Sequence, residues 1–185
     1  MSQATIRNNI RDQRDLLSHH AVKKAGKHFA QSLGKHPLFI ASEHIALYCS
    51  CQNEVDMRAS IDLCHTSNKN CYLPVVMTGK LLGFAAYTPT TMMHTNTLGI
   101  MEPIQPALIP PEALDMVIVP SIAIDMRGNR IGMGAGYYDR TFAFTAETKN
   151  PPLIAAIYPF QLVDTITPHA HDVPCQDVII ASLGI

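Results

Sequence analysis

Residues 116–140 read MVIVPSIAIDMRGNRIGMGAGYYDR, and this stretch decides the fold. Its first five residues form an apolar run that is typical of a buried β-strand. Four of the chain's 10 glycines then fall within nine residues, and an amphipathic stretch with Tyr138, Phe142 and Phe144 follows them. A strand, a glycine-rich loop and a helix start in this order predict an α/β unit whose loop binds an anion.

The residue types in this loop favour a phosphate ligand. Glycines have no Cβ, so the backbone N–H groups can turn toward a ligand and approach it closely. Arg130 adds a permanent cation whose planar donor fork suits phosphate oxygens. Asp139 is a hard oxygen ligand of the kind that holds Mg²⁺ beside a nucleotide. The alternative interpretation is a tight structural turn followed by tyrosines that pack a helix face.

The loop differs from the common nucleotide-binding motifs. It lacks the Gly-Lys-Ser/Thr of a P-loop, and its alternating glycines do not match the G-x-G-x-x-G pattern of dinucleotide-binding folds. It resembles instead the signature of the 5-formyltetrahydrofolate cyclo-ligase family, also called methenyltetrahydrofolate synthetases, in its bacterial form. The resemblance rests on residues 119–125 (VPSIAID) and 128–140 (GNRIGMGAGYYDR), and weaker matches extend it over essentially the whole chain.

Composition indicates a folded protein without a nucleic-acid or membrane footprint. The chain has 185 residues, which suits one domain, and 47% hydrophobic against 16% charged residues argues against disorder. A net charge of −1 gives no basic patch for nucleic acid or acidic lipid. No apolar run is long enough to span a membrane, and the first residues lack the apolar core of a signal peptide. We therefore expect a cytoplasmic monomer that binds neither nucleic acid nor membrane.

The cysteines indicate reduced thiols. The chain has five of them, an odd number, and they show neither a C-x-x-C pair nor a zinc-like spacing. The nine histidines do not combine with them into a ligand set in the sequence. We therefore expect no zinc site and no disulfide framework.

Helical and strand patterns alternate along the rest of the chain. Apolar residues at helical spacing predict helices over residues 5–17, 19–33 and 56–65, with Ser18 and Gly34 bounding the second. Short apolar runs predict strands over residues 45–48, 71–76, 82–87, 116–120, 153–157 and 178–181. This alternation predicts an α/β fold, in which residues 1–185 form a single three-layer domain with a largely parallel central sheet flanked by helices.

The resemblance implies an ATP site made by the N-terminal helix and the glycine loop. Arg7 matches the family's phosphate-facing arginine, and Gln3 stands where family members usually have a lysine. In the loop, the implied ATP-binding positions are Arg130, Gly132, Met133, Gly134, Ala135, Gly136, Tyr137 and Tyr138. Many family members have a lysine at the position of Ala135. From the residues alone, Arg7, Arg11 and Arg14 would form a solvated helix face.

The resemblance also implies a folate pocket after the first strand. Glu54 matches the glutamate that binds the reduced pterin, since a carboxylate can accept paired N–H bonds from its amino-pyrimidine. The other implied substrate-binding positions are Tyr48, Cys49, Leu98, Met133 and Tyr137. Leu98 stands where family members often carry an aromatic residue. From the residues alone, Glu54 would be a helix-start carboxylate favoured by the helix dipole.

Two aspartates and two catalytic residues complete the implied site. Asp139 and Asp172 match the family positions associated with Mg²⁺, while Arg130 and Tyr137 take the catalytic positions. From the residues alone, Asp172 would be an ordinary turn residue. Ser121 stands where the family usually has a glycine.

The implied activity is an ATP- and Mg²⁺-dependent ligation. ATP, the co-substrate, would activate the formyl oxygen of 5-formyltetrahydrofolate, and ring closure would give 5,10-methenyltetrahydrofolate, ADP and phosphate. Because two lysines of the family pattern are absent, one alternative is a catalytically weak homologue that binds 5-formyltetrahydrofolate. A second alternative is another reaction on the same architecture, such as that of a sugar-phosphate isomerase or a CoA transferase.

Overall fold

The structure, a computed structural model, describes residues 2–104 and 107–184. The helices are α1 (Gln3–Asp15), α2 (His19–Leu33), α3 (Pro37–Ala41), α4 (Arg58–Thr66), α5 (Tyr137–Thr141) and α6 (Thr145–Thr148). The strands are β1 (His44–Ala46), β2 (Asn70–Met77), β3 (Leu81–Ala86), β4 (Met93–Thr95), β5 (Met101–Pro103), β6 (Leu108–Ile109), β7 (Met116–Pro120), β8 (Ala123–Ile124), β9 (Arg130–Ile131), β10 (Leu153–Ile157) and β11 (Asp177–Ile180). None of the described helices is long and apolar enough to cross a membrane.

The helix boundaries follow from side-chain caps. The Ser18 hydroxyl accepts a hydrogen bond from the Ala21 backbone N–H, and Gly34 ends α2, as the sequence predicts. The first helix begins two residues earlier than expected, because the Ser2 hydroxyl caps it. The helix predicted from residue 56 begins later, since the Asp56 carboxylate lies before it and accepts from the Arg58 N–H at 3.0 Å.

Seven strands form the central sheet in the order β11-β10-β7-β1-β2-β3-β6. The five strands from β11 to β2 are parallel to their neighbours, whereas β3 and β6 pair antiparallel. Only the turn Thr78–Lys80 joins β2 to β3, which is too short for a parallel crossover. The prediction of a largely parallel sheet is confirmed. The hairpins β4–β5 and β8–β9 were not predicted, because strands of two or three residues carry no readable alternation.

Both faces of the sheet are covered. Met116 and Ile118 of β7 pack in one apolar cluster with residues of α2 and α4. Val117 and Val119, which alternate with them, pack in a second cluster that contains Phe142. The central strands are therefore apolar on both sides, and helices or loops lie on each face, as the three-layer prediction requires.

A buried aspartate organises the connection between β8 and β9. The Asp125 carboxylate is fully buried and accepts hydrogen bonds from Asn129, from Arg127 and from the Ile166 backbone N–H. Burial raises the pKa of this group, but the hydrogen bonds from Asn129, Ile166 and Arg127 outweigh it and hold the pKa at about 2. The connection leads directly into the glycine loop, so this network fixes where the loop begins.

Gly128 joins this connection to the C-terminal segment. Its carbonyl accepts a hydrogen bond from the Cys175 N–H at 2.9 Å, and its φ of +84° lies in the left-handed region. A Cβ at this position would overlap the carbonyl oxygen of Cys175. Glycine is therefore required here for its backbone conformation and for the close approach.

We expect Gly128→Ala to lower the free energy of unfolding by about 3 kcal/mol, because it combines backbone strain with a backbone clash. Gly99→Ala is the matched control, since Gly99 has a φ of +76° and open space around it. This control should cost only about 1 kcal/mol. Denaturant unfolding of both variants measures the difference, and equal losses would show that the Gly128 clash relaxes.

Candidate active site

A large cavity lies at the carboxyl ends of the parallel strands. It has a volume of about 730 Å³. Its wall includes Glu54, which follows β1, Ser121, which follows β7, and Lys80 on the turn after β2. Open α/β sheets bind their ligands at this edge, where loops from neighbouring strands converge.

Every residue that the sequence assigned to a site lines this one cavity. The ATP-assigned residues in its wall are Gln3, Arg7, Arg130, Gly132, Met133, Gly134, Ala135, Gly136, Tyr137 and Tyr138. The residues assigned to folate or magnesium are Tyr48, Cys49, Glu54, Leu98, Asp139 and Asp172. These residues lie between positions 3 and 172 of the chain, so the fold brings together side chains that are far apart in the sequence. Their individual roles stay predictions.

The glycine loop connects β9 to α5. Gly136 precedes α5 with a φ of +69°, and Gly134 has a φ of +96°, so both take conformations that favour glycine. Arg7 of α1 donates from Nε to the Gly132 carbonyl at 3.0 Å. This bond attaches the N-terminal helix to the loop and places a guanidinium at the cavity wall.

Arg130 and Asp139 form an ion pair across the loop. Arg130 Nη2 donates to Asp139 Oδ1 at 2.7 Å, and only 5% of the Arg130 side chain is exposed. The guanidinium lies 5.8 Å from the centre of the Tyr138 ring. Its Nε is buried, and the part of the chain that the structure describes offers it no hydrogen-bond partner. The predicted phosphate cation is thus present, but an aspartate partly balances its charge.

Asp172 lies close to Asp139 in the fold. The backbone N–H of Val173, the next residue, donates to Asp139 Oδ1 at 3.2 Å. Asp172 itself accepts from the His169 N–H at 2.8 Å, which is the turn role that the residues alone suggested. Because both aspartates also line the cavity, the geometry brings together the two predicted magnesium ligands.

Glu54 is a buried carboxylate in the wall of the same cavity. Its Oε2 accepts from the Cys51 N–H at 3.1 Å, and the residue is 8% exposed. Burial raises the pKa of Glu54, while the Cys51 N–H and the Arg14 guanidinium oppose that rise. A desolvated carboxylate with capacity for further hydrogen bonds suits an amino-pyrimidine edge.

Arg14 was not predicted as part of this site. It is fully buried, donates from Nε and Nη2 to the Gln52 carbonyl, and its Nη1 lies 4.0 Å from Glu54 Oε1. The interpretation of Arg14 as part of a solvated helix face is therefore wrong. Its spacing of four residues from Ile10, which is on the apolar stripe, could have indicated its burial.

The hairpin β4–β5 forms another wall. The Asn96 side chain accepts from the N–H groups of Leu98 and Ile100 and donates to Glu102 Oε2 at 2.9 Å. The same oxygen accepts from the Val76 N–H of β2 at 3.1 Å. Glu102 thereby attaches the hairpin to the sheet and places Leu98, which is 52% exposed, at the cavity.

Aromatic residues and thiols complete the wall near Glu54. The Tyr48 hydroxyl donates to the Val55 carbonyl, which fixes the ring. Burial and then the Glu54 charge raise the pKa of Tyr138 and of Cys51. For Cys51 the pKa reaches about 12, so this thiol stays protonated at neutral pH. All five cysteines are free thiols in the structure.

The fold and the cavity together define a class, an α/β protein with a cavity beside a glycine loop at the carboxyl ends of its parallel strands. A model of the 5-formyltetrahydrofolate cyclo-ligase family matches residues 1–181. The chain therefore belongs to the 5-formyltetrahydrofolate cyclo-ligase family. The sequence resemblance is confirmed.

Individual relatives agree with the family assignment. The Haemophilus influenzae 5-formyltetrahydrofolate cyclo-ligase is 36% identical over 159 residues, which cover 81% of this chain and 84% of that protein. The Escherichia coli K12 protein of the same name is 30% identical over 178 residues, covering 94% and 97%. The NMR structure of Aquifex aeolicus 5,10-methenyltetrahydrofolate synthetase has a TM-score of 0.82 and 27% identity, covering 99% of this chain and 90% of that chain.

Proposed function

We propose that this protein converts 5-formyltetrahydrofolate to 5,10-methenyltetrahydrofolate, with ATP as co-substrate and release of ADP and phosphate. One observation carries the proposal: a single cavity is lined both by the glycine loop with Arg130 and by the buried Glu54. A phosphate donor and a pterin can thus bind in contact. Family membership and the names of the relatives support the same reaction.

The reaction needs activation of a formamide oxygen, which is a poor leaving group. The γ-phosphoryl group of ATP is transferred to this oxygen, and ADP leaves. N10 of the folate then attacks the activated carbon, the carbon–oxygen bond breaks, and the N10 proton leaves with inorganic phosphate. Phosphoryl transfer of this kind depends on positioning and on neutralising charge more than on covalent participation of the protein.

Each part of the cavity has a role in this scheme. Arg7, Arg130 and the N–H groups of the glycine loop hold the phosphate chain. Glu54 orients the pterin so that its formyl group points to the nucleotide. Tyr138 lies near both groups, since its ring packs against Arg130, and burial and then the Glu54 charge raise the pKa of its hydroxyl. Tyr137 begins α5 at the same wall and excludes water from the reacting atoms.

The cavity suits a magnesium ion that is shared with ATP. Mg²⁺ prefers oxygen ligands and usually takes one or two carboxylates plus phosphate oxygens. Asp139 and Asp172 offer such a pair, and the Val173 N–H bond keeps the two residues adjacent. Within the described residues, no group of three or more His, Cys, Asp or Glu side chains is arranged to hold a metal. The bound ion would neutralise phosphate charge during transfer.

We expect Asp172→Asn to raise the magnesium concentration for half-maximal turnover about tenfold, because one of two carboxylate ligands loses its charge. The folate dissociation constant should stay nearly unchanged, since Asp172 does not contact the pterin in this scheme. Magnesium titrations of turnover measure the first quantity and calorimetry the second. The control is Asp62→Asn, since Asp62 is exposed and does not line the cavity. If Asp172→Asn keeps the magnesium dependence of the wild type, Asp139 alone remains a candidate ligand.

The folate-binding alternative makes a different prediction. A homologue that only sequesters 5-formyltetrahydrofolate would bind it without ATP-dependent product formation, so a turnover assay with and without ATP separates the two. The relatives are cyclo-ligases and synthetases, which gives no support to an isomerase or a transferase. In the cell, we expect the protein to be a cytoplasmic monomer that has no nucleic-acid or membrane partner.

A further inference from the structure

The charged side chains around the cavity do not obviously favour a triphosphate. Four carboxylates line it, from Glu54, Glu102, Asp139 and Asp172, against the three cations Arg7, Lys80 and Arg130. Arg130 is paired with Asp139 at 2.7 Å, so part of its charge is already balanced. Because ATP carries several negative charges, its phosphates need a cation that is not engaged with a carboxylate.

Lys80 meets this requirement. It lines the cavity, and no ion pair among the described residues involves it. It ends the turn between β2 and β3, where Gly79 has a φ of +74° and Lys80 a φ of +58°. The turn leads directly into β3, an ordered strand of the central sheet. The backbone that carries this ammonium group is therefore fixed.

One guanidinium attaches Lys80 to the glycine loop. Arg140 Nε donates to the Lys80 carbonyl at 3.3 Å, and Arg140 Nη2 donates to the Ala135 carbonyl. Ala135 lies between Gly134 and Gly136, the two loop glycines with left-handed backbone. The turn that carries Lys80 is thus tied to the part of the loop where backbone N–H groups would meet phosphate.

We infer that Lys80 is a phosphate-binding residue of this protein, which supplies from the β2–β3 turn a cation that forms no ion pair among the described residues. This inference rests on the proposed function for the identity of the nucleotide. An ammonium group on a long flexible stem can follow the phosphate chain of ATP and screen its charge. Because Lys80 is exposed, its contribution should be moderate, and it should affect the nucleotide and not the folate.

Calorimetric titration of MgATP against Lys80→Met tests the inference without requiring turnover. We expect a five- to tenfold higher dissociation constant for MgATP and an unchanged one for 5-formyltetrahydrofolate. Lys80→Arg keeps the charge and should bind within about twofold of the wild type. Lys149→Met is the matched control, because Lys149 is also exposed, also has a positive φ of 55°, and does not line the cavity.

A second variant uses the contact between the β2–β3 turn and the glycine loop that Arg140 makes. In the Lys80→Met background, Ala135→Lys places a cation on the neighbouring loop and should recover most of the lost affinity. Unchanged MgATP binding in Lys80→Met, or equal losses for MgATP and folate, would overturn the inference. If the wild type binds MgATP but forms no methenyl product, and Lys80→Met still weakens MgATP binding, then Lys80 is assigned correctly and the proposed reaction is wrong.

Discussion

Replacement of Arg130 by methionine should lower kcat/KM for ATP by about 10²-fold or more, while the protein stays folded. Arg130 is the buried cation of the glycine loop, and methionine keeps much of its volume in the wall. A guanidinium that binds developing phosphate charge in a desolvated site contributes far more than a surface cation. Steady-state kinetics at varied ATP, with circular dichroism to confirm folding, measure the effect.

The same stretch of sequence offers a matched control for this prediction. Arg127 also pairs with an aspartate, Asp125, at 3.2 Å, but 64% of its side chain is exposed and it does not line the cavity. Arg127→Met should leave the ATP kinetics nearly unchanged, because Asp125 keeps its hydrogen bonds from Asn129, from Ile166 and from the backbone N–H of residue 127. If a folded Arg130→Met variant also has wild-type ATP kinetics, the arginine serves only to pair with Asp139, and the phosphate assignment is wrong.

Replacement of Glu54 by glutamine should raise the dissociation constant for 5-formyltetrahydrofolate by about 10²-fold, which corresponds to about 2.8 kcal/mol. The carboxylate would accept two N–H bonds from the amino-pyrimidine, and glutamine can accept only through one neutral oxygen. MgATP should bind almost as well as before, because Glu54 contacts the pterin and not the nucleotide in the proposed scheme. Calorimetric titration of each ligand separates these effects.

Glu54 also predicts a pH dependence. Burial raises the pKa of its carboxyl group, and only the ionised form accepts both N–H bonds. Folate affinity should therefore fall as the pH decreases through this raised pKa, and Glu54→Gln should remove that component. The exposed Glu147→Gln serves as the control. Equal losses for folate and MgATP in Glu54→Gln would mean that the residue is structural.

The glycine loop and the sheet could be predicted because their patterns are local. The strand over residues 153–157 and the helix bounded by Ser18 and Gly34 follow from apolar spacing and caps within one segment. The antiparallel edge could not be read this way, since β3 differs from a parallel strand only in the turn before it. That turn, Thr78–Lys80, is specified by left-handed backbone at Gly79 and Lys80.

The residues that line the cavity could be predicted from the sequence, but the contacts among them and their supporting residues could not. Family resemblance supplied the residues that were assigned to ligands, and the structure gathers them in one cavity, while their individual roles stay predictions. The resemblance did not supply the residues that support the cavity wall. Arg14 contacts Glu54, and Arg140 contacts Lys80, only after the chain folds. The ion pair of Arg130 with Asp139 is a further example, since the resemblance assigned one residue to phosphate and the other to magnesium.

The most direct test of this account is a spectrophotometric assay for 5,10-methenyltetrahydrofolate from 5-formyltetrahydrofolate, with ATP and Mg²⁺ each added or omitted. We predict that the methenyl product forms only when both are present, and that one ADP appears for each product molecule. Product formation without ATP, or tight binding of 5-formyltetrahydrofolate with no product in the complete mixture, would contradict the account.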